Sequence, residues 1–497
     1  MKKSILLICT LALVVTANAQ EVATTLDSKQ AIKQERKAAV KSHLKQHFKP
    51  YGFIRNYLTF DSRECIAGTG DMYFYMPKDE NWNKTDDAAL REDLNAQSSF
   101  RFLSLTTRVG LNIVDYKWRG TEFSGKIEAD FYAGISAVSG QTHAVTGTAQ
   151  FRLRQAYVTL AWDSLAINNN KDYARVELAI GQTWHPMAAD LCDVIALNSG
   201  APFGPFNRSP QVRMDAHLGK LFTLTAAGLW QMQYNSTGPQ GQSAEYILYS
   251  KTPEAYLGLS FHDKGWIVRA GADVLSITPR HIGEARDANG TTILGTDGKP
   301  LQIKVKDRIT TASPFVYLQY KKGEFSLKAK TILAEAGEHM NMNGGYGVKA
   351  KSDGKFWNPD GSYEYTPTRT SSSWISLVYG GKIGAQEDKH PQKLQGILFA
   401  GYVENLGTKD PLATMKDEKG NDVIVGFYYP RVKNMNRMWR LTPILLYTVG
   451  KFQLGLEYDI TSVHYSDGKL NPANGLSENG LHWVTNHRVQ LMTKFNF

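Results

Sequence analysis

The stretch Trp483-Val484-Thr485-Asn486-His487-Arg488-Val489-Gln490-Leu491-Met492-Thr493-Lys494-Phe495-Asn496-Phe497 decides the fold. Read back from Phe497, it alternates. Phe495, Thr493, Leu491 and Val489 take one face, and Asn496, Lys494, Met492, Gln490 and Arg488 take the other. A period of two over this length describes a strand long enough to cross a bilayer at a tilt, with one apolar side. The same two faces recur upstream. Phe123, Ile127, Ala129, Phe131 and Ala133 alternate with Lys126, Glu128, Asp130 and Tyr132. Val212, Met214, Ala216 and Leu218 alternate with Gln211, Arg213, Asp215 and His217, and Leu454, Leu456, Tyr458 and Ile460 with Gln453, Glu457 and Asp459. Charges on an inward face are tolerable only where that face is wet.

From Tyr51 onward such segments are separated, in turn, by very short and very long connections. The short ones are polar turns: Gly219-Lys220, Asp263-Lys264-Gly265, Lys321-Lys322-Gly323 and Gly450-Lys451. The long ones run near 62–97, 136–147, 184–209, 235–251, 279–305, 338–370, 407–431 and 465–481. Short turns at one rim and long loops at the other are the layout of an outer-membrane barrel. The pattern predicts an all-β fold over 51–497: a 16-stranded antiparallel transmembrane β-barrel with short periplasmic turns, long extracellular loops and an aqueous lumen. Aromatic residues near strand ends, among them Tyr51, Trp374, Tyr379, Trp439 and Trp483, suit membrane interfaces.

The other end of the chain fits that destination. Met1-Lys2-Lys3, an apolar run from Ile5 to Thr16 and Ala17-Asn18-Ala19 read as a secretory signal peptide over 1–19. Residues 20–50 are expected to form a periplasmic tail. From Ala31 to Phe48 it lacks Gly and Pro and spaces Val40, Leu44 and Phe48 by four. So thin a stripe fits either a helix packing on its copies or a solvated linker. His43 and His47 stand four apart without a third ligand nearby, so no metal is expected.

The net charge is +10, with Lys2 and Lys3 in the leader and seven basic against three acidic residues in the tail. The barrel is then only mildly basic, and nucleic acid is not an expected partner. Beyond the leader the chain has two cysteines, Cys65 and Cys192. They either bridge the first and third loops or remain two buried thiols. No HExxH, GxSxG or Cys/His cluster appears, and Gly344-Gly345-Tyr346-Gly347 leads into no helix, so neither enzyme chemistry nor a cofactor is expected.

The third long loop differs from the others. It reads Trp184-His185-Pro186-Met187-Ala188-Ala189-Asp190-Leu191-Cys192-Asp193, then Ala201-Pro202-Phe203-Gly204-Pro205-Phe206-Asn207-Arg208. Apolar and stiffened by proline, it is expected to fold onto the inner wall and form a constriction, the alternative being that it covers a neighbouring subunit. Arg108, Lys126, Arg152, Arg154 and Arg213 lie in pore-facing phase, with Arg55, Arg269, Lys328 and Lys330 as further inward cations. Guanidinium groups stay charged and present paired donors, and rings of them select anions. Asp190 and Asp193 on the loop, with Glu128 and Asp130 opposite, would either set a transverse field or pair with the arginines and stiffen the wall. Both can hold at once.

Gly181-Gln182-Thr183-Trp184 before the Pro-rich loop, and Arg152-Leu153-Arg154-Gln155-Ala156-Tyr157-Val158 on the preceding strand, resemble general bacterial porins. The likeness is nearest to the DcaP-like trimeric porins, which also carry a helical N-terminal extension. It implies a homotrimer of barrels, each narrowed by loop three and passing small, preferentially anionic hydrophilic solutes. The terminal strand closing on Phe497 also resembles the last strand of outer-membrane barrels, which the barrel-assembly machinery reads as an insertion signal. Outer-membrane lipid is the implied surroundings. A surface binding or adhesion barrel is the alternative from another class, and a barrel hydrolase a third.

Overall fold

The computed structural model describes residues 46–68, 73–104, 106–132, 150–166, 173–287, 289–384 and 390–497. The leader over 1–19 and the tail up to residue 45 lie outside the described residues. Sixteen barrel strands are described. In the first half these are β1 (Phe48–Asp61), β2 (Ser99–Leu103 and Arg108–Trp118), β3 (Thr121–Tyr132), β4 (Gln150–Ala166), β5 (Tyr173–Trp184), β6 (Arg208–Leu218), β7 (Phe222–Leu229) and β8 (Glu254–Asp263). The second half comprises β9 (Trp266–Ile277), β10 (Ile309–Lys322), β11 (Phe325–Glu335), β12 (Tyr365–Ile383), β13 (Gln392–Thr408), β14 (Met435–Val449), β15 (Phe452–Tyr465) and β16 (His482–Asn496). Each pairs with its chain neighbours, and β1 closes antiparallel on β16, Phe53 opposite Asn496 and Asp61 opposite Arg488. Closure leaves no sheet edge, as a lipid surround requires.

Two of the departures from the sequence expectation have a visible cause. β2 is interrupted between Leu103 and Arg108, where the Thr106 hydroxyl accepts from Arg55 Nε (3.0 Å) and the Thr107 hydroxyl from the Arg55 backbone N–H (3.3 Å). β12 starts at Tyr365 instead of 371, because Tyr346–Val348 from the preceding loop pairs with Tyr365–Pro367. Lys264-Gly265, one of the turns read from the sequence, has φ of 44° and 90°, and Arg119-Gly120, outside that set, has 47° and 81°, the double positive pattern that suits twisted hairpins. Lys321 and Lys322, read as part of a turn, instead end β10.

The alternation sets the two environments. On β8, Leu257 and Leu259 are 59% and 47% exposed, while Tyr256 and Ser260 are buried. On β16, Val489 and Phe495 face out, and Arg488, Gln490 and Met492 are buried inward. Each outward leucine is worth about 2 kcal/mol when moved from water into hydrocarbon, so a lipid belt is the stable surround. Tyr379, Trp439 and Trp483 are exposed at this outer surface. Trp374 is not: it is buried against Phe399 inside the barrel. Tyr51 likewise turns its hydroxyl to Glu128 Oε2 (2.8 Å).

The interior is drier than the charged inward faces led one to expect. Besides loop three, a hairpin of the first loop (Cys65–Gly68 with Tyr73–Pro77) buries Phe74, Tyr75 and Met76. The loop after β11 adds Met340 and Met342, and these meet Phe399, Met438 and Val463 of the wall in one apolar core. The reason lies in the inward positions toward the loop rim. Trp374, Phe399, Val403, Met438 and Val463 are apolar there, and only a packed partner suits them.

Candidate functional site at the loop-three constriction

Loop three leaves β5 through the Gly181-Gln182-Thr183-Trp184 stretch. Gly181 has φ of +130°, and a Cβ there would sit 2.3 Å from the Ala156 carbonyl oxygen, so the close pairing of β4 and β5 needs glycine. Pro186–Ala188 then forms a single 3-10 turn, capped by His185 Nδ1 accepting from the Met187 N–H (3.1 Å). From there the loop is tied to the inner wall residue by residue. Asp190 pairs with Arg269 of β9, and Asp193 with Lys328 of β11 (2.7 Å). Lys330 Nζ donates to the Met187 carbonyl. Glu457 Oε2 on β15 accepts from the Ile195 and Ala196 N–H groups (3.1 and 3.2 Å). Ser372 donates to the Phe203 carbonyl (2.8 Å), and Arg440 Nη1 to that of Ala201 (3.2 Å). Loop three therefore lies folded inside the barrel.

Beneath it sits a cavity of about 370 Å³. Among the described residues its lining carries five cations, Arg55, Arg108, Arg152, Arg154 and Lys494, against two carboxylates, Asp130 and Asp193. Arg154 bridges Glu128 (3.0 Å) and Asp130 (2.6 Å), and Arg108 approaches Glu128 at 3.4 Å. Arg152 holds Asp130 through two contacts. Arg55 and Lys494 have no carboxylate partner among the described residues; both lie near the Phe53 ring, at 4.9 and 4.6 Å. The pairing alternative for Glu128, Asp130, Asp190 and Asp193 is thus realised in the geometry, while the lining keeps an excess of positive charge.

Of the remaining sequence candidates, Arg213 pairs with Asp215 (2.8 Å) and lines a different cavity of about 490 Å³ with Glu177 and His217. Lys126 lies over the Tyr51 ring (5.3 Å) and is not part of the lining. The Cys65–Cys192 bridge is not formed: both are free thiols. Cys65 Sγ donates to the Arg63 carbonyl (3.1 Å), whereas Cys192 is buried in the apolar core against Gly200. Phe497 donates its N–H to Gly52 O (3.1 Å), and its ring occupies the space a Gly52 side chain would need.

One cluster escaped the sequence reading, which saw only scattered histidines. His185, Glu254, Asp273 and His339 are all buried and meet where loop three leaves the wall. His185 Nε2 lies 2.8 Å from Glu254 Oε1, and His339 Nε2 lies 3.5 Å from Asp273 Oδ2. Burial pushes both imidazoles down, but the two carboxylates more than offset it and hold each at about 9. No sequence spacing signals residues that lie so far apart in the chain.

No protein-family model matches the sequence, and no curated protein matches it. Among solved structures, the outer membrane channel DcaP of Acinetobacter baumannii superposes with a TM-score of 0.55 at 17% identity, over 90% of this chain and 97% of that one. OmpT, an outer membrane protein of Vibrio cholerae, gives 0.44 at 10% identity over 90% and 97%. An anion-selective porin from Comamonas acidovorans gives 0.42 at 9% identity over 90% and 99%. With its sixteen-stranded closed wall, apolar outer belt and inward third loop, the chain has the fold of the DcaP-like porins and resides in the bacterial outer membrane.

Proposed function

We propose that the chain is a passive diffusion channel for small hydrophilic solutes, with anions preferred at the loop-three constriction. The observation that carries this reading is the lining of the cavity below loop three, with five cationic side chains against two carboxylates. An anion leaving bulk water would exchange part of its hydration shell for guanidinium donors. The pairing of Arg108, Arg152 and Arg154 with Glu128 and Asp130 keeps the site from holding an anion too tightly, which conduction also requires. Size selection would follow from the tethered loop. In this reading residues 1–19 are a cleaved leader, the stretch from 20 to the start of β1 a periplasmic tail, and the working unit a homotrimer.

A liposome-swelling assay tests it. Anionic solutes should enter faster than cationic solutes of equal size, and a faster rate for the cations would contradict the proposal. A second reading, a surface-binding barrel with a blocked lumen, is favoured by one observation: loops one, three and the loop after β11 share an apolar core inside the barrel. Absence of any swelling above that of empty liposomes would select it.

A further inference from the structure

His339, Glu254, Asp273 and His185 come from the loop after β11, the start of β8, the wall of β9 and the root of loop three, and each is at most 1% exposed. The protonation pattern follows from their fixed partners. His339 Nδ1 lies 3.1 Å from the Ala336 carbonyl oxygen, which can only accept, so Nδ1 carries the proton. Nε2 faces Glu254 Oε1 at 3.6 Å and Asp273 Oδ2 at 3.5 Å, and an ion entering there would displace the Nε2 proton and take its lone pair. His339 Nε2, Glu254 Oε2 and Asp273 Oδ1 are buried and have no hydrogen-bond partner. They are an imidazole nitrogen and one oxygen from each of two carboxylates, the donor types that a cation takes, and burial keeps water from serving them.

The distances discriminate between cations. A charge-assisted N–H···O bond is about 2.7–2.9 Å, shorter than either contact. Ligands bound at 2.0–2.2 Å around a tetrahedral ion stand ~3.3–3.6 Å apart, and the two nitrogen-to-oxygen separations from His339 match that spacing. Two carboxylates and a neutral imidazole also balance a doubly charged ion, leaving no net charge in the buried site. We propose that His339 Nε2, Glu254 and Asp273 bind a divalent transition metal of the zinc class. Calcium and magnesium prefer all-oxygen shells of six or more ligands, and an imidazole nitrogen does not suit them.

His185 has a separate part. Its Nδ1 accepts from the Met187 N–H, so its Nε2 carries a proton and donates to Glu254 Oε1 at 2.8 Å. That makes it a positioning residue, although its ring nitrogen lies within 4.8 Å of the carboxylate oxygens. The bound ion ties the root of loop three, through His185 and Glu254, to β8, β9 and the turn after β11.

The test uses untagged full-length protein folded in detergent, stripped with chelator, loaded with Zn²⁺ alone and desalted. About one zinc per chain should remain, and Co²⁺ loading should give the intense visible bands of a tetrahedral site. His339→Ala and Glu254→Gln should each abolish retention, while a variant lacking His43 and His47 keeps it. His185→Ala should shift the cobalt bands, and His185→Gln, which can still donate to Glu254, should restore them. The heat-dependent gel shift reports folding of each variant. If His339→Ala does not fold, the wild-type cobalt spectrum decides. Wild-type protein that retains no zinc, or a folded His339→Ala that retains it fully, overturns the proposal.

Discussion

Arg152 grips Asp130 at two points, Nε to Oδ1 at 2.9 Å and Nη2 to Oδ2 at 3.0 Å, and the two residues are direct cross-strand partners on β4 and β3. Arg154 shares the same carboxylate. The charge at the constriction therefore depends on a ratio, and each substitution changes it in a foreseeable direction. Replacing Arg152 and Arg154 by glutamine removes two cations and leaves Glu128 and Asp130 with less compensation. A unit charge at ~4 Å in wet surroundings is worth about 1 kcal/mol, or roughly fivefold in relative permeability. The double variant is expected to lose chloride preference by at least that factor, and Asp130→Asn to strengthen it. An unchanged chloride-to-potassium permeability ratio in both would refute this assignment.

Asp61 and Arg488 join the first strand to the last, with contacts of 2.8 Å at both oxygens, and Asn486 adds a third bond to Asp61 at 2.9 Å. Both side chains of the pair are buried. Asp61→Ala strands a buried guanidinium at the seam that closes the barrel, a loss of about 3–5 kcal/mol. Urea unfolding in detergent should show it. A change below about 1 kcal/mol would mean that the seam holds without the pair.

Glu457 anchors loop three through the Ile195 and Ala196 amides. Glu457→Ala should loosen the loop, raising single-channel conductance and current noise, while Glu457→Gln, whose carbonyl oxygen can still accept both bonds but without the charge, should fall between and nearer the parent protein. Identical conductance in all three proteins would show that this contact does not set the aperture.

The free thiols give a chemical check. Denatured without reductant, the protein should take up alkylating reagent at both Cys65 and Cys192, and its gel mobility should not depend on reductant. In the folded state Cys192, buried in the lumen core, should react far more slowly than Cys65. Uptake that appears only after reduction would demonstrate a bridge.

The wall was legible in the sequence because its two faces meet opposite solvents. Leu456 against Glu457 states which way a strand faces, and repetition of that contrast located all sixteen strands. Loop three was legible too, since Phe203, Phe206 and the prolines beside them stand out among polar loops. The inward fold of the first loop was not. Phe74-Tyr75-Met76 belongs to one short apolar run, Met72 to Pro77, in an otherwise polar loop, and its burial depends on Met340 and Tyr465, hundreds of residues away. Phase alone gave Arg152 and Arg154 as inward. Their partners followed only once register put Asp130 opposite Arg152 and Glu128 opposite Gln155. Arg213 shows the limit of phase: it faces inward, yet lies beside another cavity. The histidine–carboxylate cluster had no local signature, because each member looks ordinary in its own segment.

The most direct measurement is the zero-current potential of the purified protein in a planar bilayer under a potassium chloride gradient. The cationic lining below loop three predicts a potential displaced toward the chloride equilibrium value, with the displacement shrinking at high ionic strength. A displacement toward the potassium value, or no current at all through a correctly folded barrel, would contradict the account.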